Sequence, residues 1–425
     1  MAKVLIAFLG TGRKDRNEMS KYAYEFANYQ FNDGKSIATP FFADAMMQYY
    51  DISKVLLIGT PGSMWGEVYR YFCNKKGIEP NETKWLEISE YCEKATKDSP
   101  LRIPHQDVIE QTIGNESKII LLHYGLNRNE QDINAATFLS LESYINNNDE
   151  IYLDITHSFR SLPMYMMNML LYIKTISNKN IQIKNISYGM FEASFRTQEG
   201  HVITPVVNLT ETEHIMDWII GAYSFQEYGN SYKIAELLDA EGDKEAAYRF
   251  REFSDEMNLN HLDGLQSQVQ KLSALKNKTF PAIPNAIIPK TIKQYISAFS
   301  TNNAAVFQYK IACWQYNHKN YASSYLSLLE AILTYIIECG KINTGSSKDD
   351  AELAKQILRD SNPGNIPDFA ICAKAFKDIN HIRNTIAHQT HNERGAYNSK
   401  TLIQTLQKSI ENLRPTFQNW DKSNR

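Results

Sequence analysis

The chain opens MAKVLIAFLGTGR (residues 1–13), an apolar run at positions 4–9 that stops at Gly10-Thr11-Gly12-Arg13. Six consecutive apolar residues followed by a glycine-containing turn read as a strand buried on both faces that feeds a tight loop. The same grammar recurs downstream. Runs at 55–58, 119–122 and 151–154 lead into loops rich in Gly, Thr, Ser or His and then into polar or helical sequence. A fifth run lies at 181–188, and a shorter strand-like stretch at 201–209 is expected to close the domain. Residues 1–210 therefore predict a doubly wound, Rossmann-like α/β domain with a parallel sheet. In such folds ligands bind at the loops beyond the carboxyl ends of the strands.

Past residue 211 the β-branched runs vanish and helical periodicity takes over. Helices are predicted over 211–238, 244–275, 321–339, 371–388 and 402–413. The proline-containing stretch 279–289 reads as a linker and 340–350 as a polar loop. The expected division is a ligand-sensing domain at 1–210, a helical connecting region at 211–300 and a helical bundle at 301–425. No internal repeat or low-complexity tract interrupts it.

Composition narrows the class. Hydrophobic residues make up 43% and charged residues 22% of the 425, the balance of an ordinary globular chain. No uninterrupted apolar run approaches about 18 residues, so no membrane span is expected. The five cysteines form no CxxC pair, which argues against a thiolate zinc site and fits a reducing, cytoplasmic compartment. The net charge of −3 does not advertise nucleic-acid binding. Charge is local, however: from His381 to Arg425 seven Lys/Arg face three Asp/Glu, a balance of +4.

Three loops share a chemistry. Gly10, Thr11, Gly12 and Arg13 follow the first run. Gly59, Thr60, Gly62, Ser63, Met64 and Trp65 follow the second. Asp154, Thr156, His157, Ser158 and Arg160 follow the fourth. Glycines let a phosphate approach the backbone, and a following helix N-terminus offers free N–H groups. Arg13 and Arg160 would add charge, and Trp65 an aromatic face for a base. Neither GxGxxG nor GKS/GKT is present, so neither a dinucleotide fingerprint nor a P-loop is matched. Plainer readings stand beside these. Glycines serve tight turns, Asp154 caps its own turn, His157 is a buried structural histidine and Trp65 belongs to the core.

Near the C-terminus the chain reads His381-Ile382-Arg383-Asn384-Thr385-Ile386-Ala387-His388. A histidine can move a proton at neutral pH and an arginine can hold a phosphate permanently. That pair suffices for metal-free cleavage of RNA, which carries its own nucleophile in the 2′-hydroxyl. Five residues on an ideal helix turn through about 500°, so Arg383 and His388 point roughly 140° apart. Either the helix distorts or two copies share one site. Asn384 would orient either group. The plainer alternative is a salt-bridged Arg383 and a helix-ending His388. His381, His388 and His391 lack a completing carboxylate or thiol except Glu393, so no metal is expected.

The segment Asp154-Ile155-Thr156-His157-Ser158-Phe159-Arg160 resembles the Asp-x-Thr-His-Gly signature of CRISPR-associated Rossmann-fold (CARF) proteins, with Ser158 in place of Gly. The opening Gly-Thr-Gly loop and the Gly-Thr-Pro-Gly-Ser loop resemble that family too. Arg383 to His388 resembles the Arg-x4-6-His motif of HEPN ribonuclease domains. Together they imply a CARF–HEPN effector ribonuclease of type III CRISPR systems, a homodimer or larger assembly. The resemblance implies that its CARF domains bind a cyclic oligoadenylate, tetra-adenylate first and hexa-adenylate next. That allosteric activator would switch on HEPN cleavage of single-stranded RNA, with no cofactor and no membrane partner. Arg383, His388 and Asn384 would be catalytic, and the residues of the three loops would hold the ring. Two other functions remain open: a non-catalytic regulator that binds nucleic acid under ligand control, and a ring nuclease acting through Thr11, Ser63, His157 and Arg160.

Overall fold

In the computed structural model the chain divides into two compact units, Met1–His214 and Ile215–Arg425. The structure describes residues 1–11, 26–114, 116–157, 159, 161–177, 179–360, 364–388 and 398–423, with backbone alone for 384–388.

The first unit is built on one twisted sheet. Its strands are β1 (Lys3–Leu9), β2 (Ala27–Gln30), β3 (Ser36–Thr39), β4 (Lys54–Gly59), β5 (Lys118–Leu121), β6 (Glu150–Asp154), β7 (Gln182–Gly189), β8 (Phe195–Arg196) and β9 (Val202–Asn208). The order is β3-β2-β9-β7-β6-β1-β4-β5, with β8 paired to β9. Five neighbouring strands, β7-β6-β1-β4-β5, run parallel and end at the β5 edge. Strand β1 alternates strictly between two cores. Leu5, Ala7 and Leu9 join one hydrophobic cluster, while Val4, Ile6 and Phe8 join the other. Helices therefore cover both faces, which is why the run carries no polar residue. They are α1 (Phe42–Tyr50), α2 (Trp65–Lys75), α3 (Glu82–Lys94), α4 (Gln106–Ile113), α5 (Arg128–Ser140) and α6 (Leu162–Thr175).

The stretch 201–209 supplies the last strand of the unit, as expected, but the expectation of a parallel sheet needs correcting. Strand β9 runs antiparallel to β7 and lies inside the sheet, because the β2–β3 hairpin adds two more strands beyond it. Those strands are four residues each, too short to show a periodicity.

The second unit is all helical. Helices α7 (Glu211–Tyr228), α8 (Tyr232–Ala240), α9 (Lys244–Leu259), α10 (Leu262–Ala274) and α11 (Ala282–Ser297) surround an aromatic cluster of Phe225, Phe250, Phe253 and Tyr295. Helices α12 (Ala304–Asn317), α13 (Tyr321–Gly340), α14 (Ser347–Asp360), α15 (Phe369–His388) and α16 (Ser399–Ser423) form a bundle with its own core. The expected helix 211–238 breaks at Gly229, whose φ of +67° only glycine adopts freely. The expected helix 244–275 breaks at Asn260 (φ +53°), which caps α9 and accepts hydrogen bonds from Gln315 (2.7 Å) and Ser327 (3.1 Å). The expected linker 279–289 is mostly helix α11. Pro284 sits in the first turn, where N–H groups have no partner anyway. Burial of Ile288, Ile292 and Ile296 offsets the bond lost at Pro289. The loop expected at 340–350 already contains the start of α14, and the last helix extends well beyond 402–413 on both sides.

Helix α13 has the length and mean apolarity of a membrane span. Its apolar side chains Leu328, Leu329, Ile332 and Ile336 are instead the centre of the bundle core.

Candidate functional site

Strand order decides where a site forms in the first unit. From β1 the sheet grows to β4 and β5 on one side and to β6 and β7 on the other. The loops leaving β1, β4 and β6 therefore meet at one carboxyl edge, where the order reverses. Two contacts fasten the first two loops together. The Met64 N–H donates to the Gly10 carbonyl at 3.1 Å, and the Ser63 hydroxyl donates to the Leu9 carbonyl at 2.7 Å. The third loop is pinned from below. Thr156 Oγ1 accepts from the Gly189 N–H at 2.8 Å, and Asp154 Oδ1 accepts from the Thr156 N–H at 2.7 Å. Residues 145 positions apart in the chain thus line one rim.

Several of the predicted ligand residues turn out to serve the scaffold. Trp65 is fully buried, and its indole N–H donates to the Thr60 carbonyl at 2.8 Å. It cannot stack on a ligand, which corrects that expectation. A Cβ on Gly59 would stand 2.7 Å from the Trp65 ring, so this glycine makes room for the tryptophan rather than for a phosphate. Thr60, Ser63 and Met64 are buried as well. The Ser63 hydroxyl also accepts from the Thr60 N–H at 3.0 Å, so it is committed to the turn. Gly10 and Gly62 remain half-exposed and Thr11 exposed at the rim. Gly12, Arg13, Ser158 and Arg160 lie outside the described residues.

Asp154 caps its own turn, as the plainer reading had it, but it is also fully buried. Burial lifts its carboxyl to about 7 against the pull of the Thr156 hydrogen bonds. His157 is half-buried as a residue, yet its Nε2 is sealed from solvent without a hydrogen-bond partner. Burial pushes its imidazole down to about 4, so the ring is neutral at pH 7. With Ser63 locked and His157 neutral and enclosed, neither is poised to attack a bound ring.

Below the first two loops opens a cleft of about 290 Å³, lined by Thr11, Gly62, Glu67, Cys92, Glu93 and Tyr124 among others. Four of these, Glu67, Cys92, Glu93 and Tyr124, were not anticipated from the sequence. Tyr124 lies in the loop after β5, held by Asn134, which accepts from the His123 N–H and donates to the His123 carbonyl, both at 2.9 Å. Its ring meets that of Phe159 with centroids 5.6 Å apart. An aromatic residue just beyond a predicted strand was the available signal. Glu67 and Glu93 come from helices α2 and α3, and no pattern marked them.

The second candidate site is the end of α15. At 100° per residue Arg383 falls within about 40° of Phe376 and Ile379, both buried, so it prolongs the core-facing stripe. Its side chain is half-buried. On α13, Glu330 keeps surface open to solvent but is crowded by its neighbours. That crowding raises its carboxyl, while the Lys355 and then the Arg383 cation pull it back. The backbone is helical through His388, but the side chains of Asn384 and His388 are outside the described set. Among the described residues, no group of three His, Cys, Asp or Glu is arranged to hold a metal ion.

Residues 4–192 match the family described as CRISPR system endoribonuclease Csx1, CARF domain. Residues 214–303 match CRISPR-associated protein MJ1674, second domain. The CRISPR-associated protein MJ1674 of Methanocaldococcus jannaschii is 33% identical over 420 residues, covering 93% of this chain and 63% of that protein. The chain thus spans just under two thirds of that relative's length. A solved structure of Enterococcus italicus Csm6 bound to cyclic hexa-2′-fluoro-hexa-dAMP aligns over 98% of this chain and 94% of its own. At a TM-score of 0.40 and 12% identity, that likeness carries no weight here. Residues 4–192 are thus similar to a CARF domain, and most of the chain is similar to a CRISPR-associated protein.

Proposed function

We propose that this chain is an endoribonuclease of type III CRISPR defence, switched on by a cyclic oligoadenylate and independent of metal ions. The observation that carries the sensor half is the convergence of three strand-end loops on one sheet edge, within a segment matching a CARF domain. That CARF domain is described as belonging to an endoribonuclease, which favours RNA as the substrate. A ring of repeated nucleotides suits a two-fold interface, to which each protomer presents the same rim.

The catalytic half rests on Arg383 and His388. Arg383 stabilises the charge on the scissile phosphate. His388 takes the proton of the 2′-hydroxyl or returns one to the departing 5′-oxygen. The 2′-oxygen attacks phosphorus, the P–O5′ bond breaks, and a 2′,3′-cyclic phosphate and a 5′-hydroxyl result. Because Arg383 prolongs the core stripe and His388 lies about 140° around the helix, a two-fold pairing of α15 ends would bring Arg383 of one protomer to His388 of its partner. The activator acts by binding the active arrangement better than the resting one.

The test is cleavage of a labelled single-stranded RNA with cyclic tri-, tetra- and hexa-adenylate, in EDTA. Activation by one ring size in EDTA is expected, with tetra-adenylate the first choice. Cleavage that needs Mg²⁺ or Mn²⁺, or that no ring stimulates, overturns the proposal.

A further inference from the structure

We infer that helices α10 and α11 carry a docking surface for single-stranded RNA, apart from the cleaving residues. A cleft rimmed by amides takes an unpaired base, and Lys271 and Lys293 hold the phosphates beside it. This deepens the proposed function and rests on RNA being its substrate.

Charge singles out this part of the chain. Residues 264–329 contain seven lysines and no Asp, Glu or Arg, a balance of +7 in a chain whose net charge is −3. Soluble surfaces ordinarily intersperse both signs. Lys278 is paired with Asp243 at 2.7 Å and Lys310 with Asp421 at 3.7 Å. Lys271, Lys276, Lys290, Lys293 and Lys319 are exposed and form no ion pair with a described residue. Unpaired cations of this kind bind a phosphate chain by displacing its counterions.

The helices set two of these lysines beside a cleft. Leu265, Val269 and Leu272 turn one side of α10 into the core and leave Gln270 and Lys271 exposed. Burial of Ile288, Ile292 and Ile296 does the same for α11 and leaves Lys290 and Lys293 in one outer stripe. Gln270 and Ile296 both line a cleft of about 200 Å³, so Lys271 adjoins it in the chain and Lys293 precedes it by one turn.

The cleft itself is neutral. Gln266, Gln270, Ser273 and Asn302 line it together with the buried rings of Phe299 and Phe307. Those four polar side chains make no hydrogen bond to a described residue. An amide donates and accepts at once, as the edge of a base does. A paired base has that edge covered, so the cleft suits an unpaired strand. The turn that presents Asn302 is fixed in advance. Thr301 donates to Asp421 at 2.9 Å and accepts from the Asn303 N–H at 3.2 Å, and Lys310 donates to the Ser300 carbonyl at 3.0 Å. Little freedom remains there to lose on binding.

The surface grips the strand away from the bond that is cut. Asn260, just before α10, accepts from Ser327 of α13 at 3.1 Å, three residues before Glu330. Lys271 stands about 14 Å further along, at 1.5 Å per residue from the first residue of α10. Its contacts therefore act on KM and not on kcat.

The experiment follows binding of a fluorescent 2′-O-methyl RNA strand, which lacks the attacking hydroxyl and stays intact, to the full chain at several salt concentrations. Lys271→Ala with Lys293→Ala is expected to flatten the slope of log affinity against log salt by about 1.4, two phosphates at about 0.7 each. Arginine at both positions should keep the wild-type slope. Gln266→Leu with Gln270→Leu should weaken binding by about 3- to 10-fold at every salt concentration and leave the slope unchanged. In cleavage at saturating activator both double variants should raise KM and spare kcat. An unchanged slope and KM in the lysine variant overturn the inference and spare the proposed function, and so does unchanged affinity in the glutamine variant. Cleavage that no ring stimulates overturns the proposed function, while the binding slopes still decide the docking surface.

Discussion

The two candidate sites are built in opposite ways. At the sheet edge, residues from Gly10 to Gly189 are scattered through the chain yet converge, because β6, β1 and β4 are neighbours with parallel sense. At the end of α15, Arg383 and His388 are five residues apart yet diverge by about 140° on one helix. Closeness in sequence is therefore a poor guide to a shared site on a helix, and distance is no obstacle in a parallel sheet. The rim is assembled by the fold of one chain, whereas under the proposed function the α15 site is shared between two copies.

The sharpest way to break this contrast is at α15. Arg383→Ala or His388→Ala is expected to lower RNA cleavage by on the order of 10²–10⁴-fold, the scale of one acid–base group. Binding of the activator should survive. If mixed dimers of the two variants recover part of the activity, the site is shared between protomers. Full activity in His388→Ala removes the assignment.

The sheet edge should respond first through stability. Trp65→Ala removes a fully buried ring that also anchors the loop after β4. A loss of about 3–5 kcal/mol is expected, read as a lower denaturation midpoint. Replacement tolerated with less than about 1 kcal/mol would return Trp65 to the ligand-facing surface.

Asp154 and His157 make the pH response diagnostic. The folded-state carboxyl of Asp154 stands near 7, above its unfolded value, so its contribution is present at low pH and fades as pH rises through that window. His157 behaves in the opposite sense. Its folded-state value near 4 lies below the unfolded one, so its contribution fades as pH falls from about 6.5 toward 4. In the wild type the two slopes oppose each other. Asp154→Asn keeps an acceptor for the Thr156 N–H and removes the buried charge. It should be more stable than the wild type at pH 8, by on the order of 2 kcal/mol, and should rise steadily in stability from pH 4.5 to 7. A variant less stable than the wild type at pH 8 would mean that the carboxylate has a partner.

The smallest effect is expected at Thr156. Thr156→Val deletes the acceptor of the Gly189 N–H and should cost about 1–2 kcal/mol of stability. It should also raise the activator concentration needed for half-maximal cleavage, with the rate at saturation unchanged. A shifted saturating rate with unshifted half-activation would detach this loop from the sensor.

What the chain alone determined is the class of each half. Apolar runs such as residues 4–9, with no polar position, are compatible only with a strand covered on both faces. The stripe of Phe376, Ile379 and Ile382 likewise specifies one core-facing side of a helix. These signals are local, because period and apolarity are properties of consecutive residues. Breaks within helices were less legible. At Asn260 a left-handed residue was chosen by hydrogen bonds from Gln315 and Ser327, more than fifty positions away. The β2–β3 hairpin escaped for the same reason, since four-residue strands are stabilised by their neighbours rather than by their own pattern. At the site, sequence could name small and hydroxyl residues at strand ends but could not say which faced inward. Only packing turned Trp65 into core and Gly59 into the space it needs, and only strand order brought Tyr124 beside the rim. Side-chain direction depends on which strand lies next door, and that is a property of the folded chain.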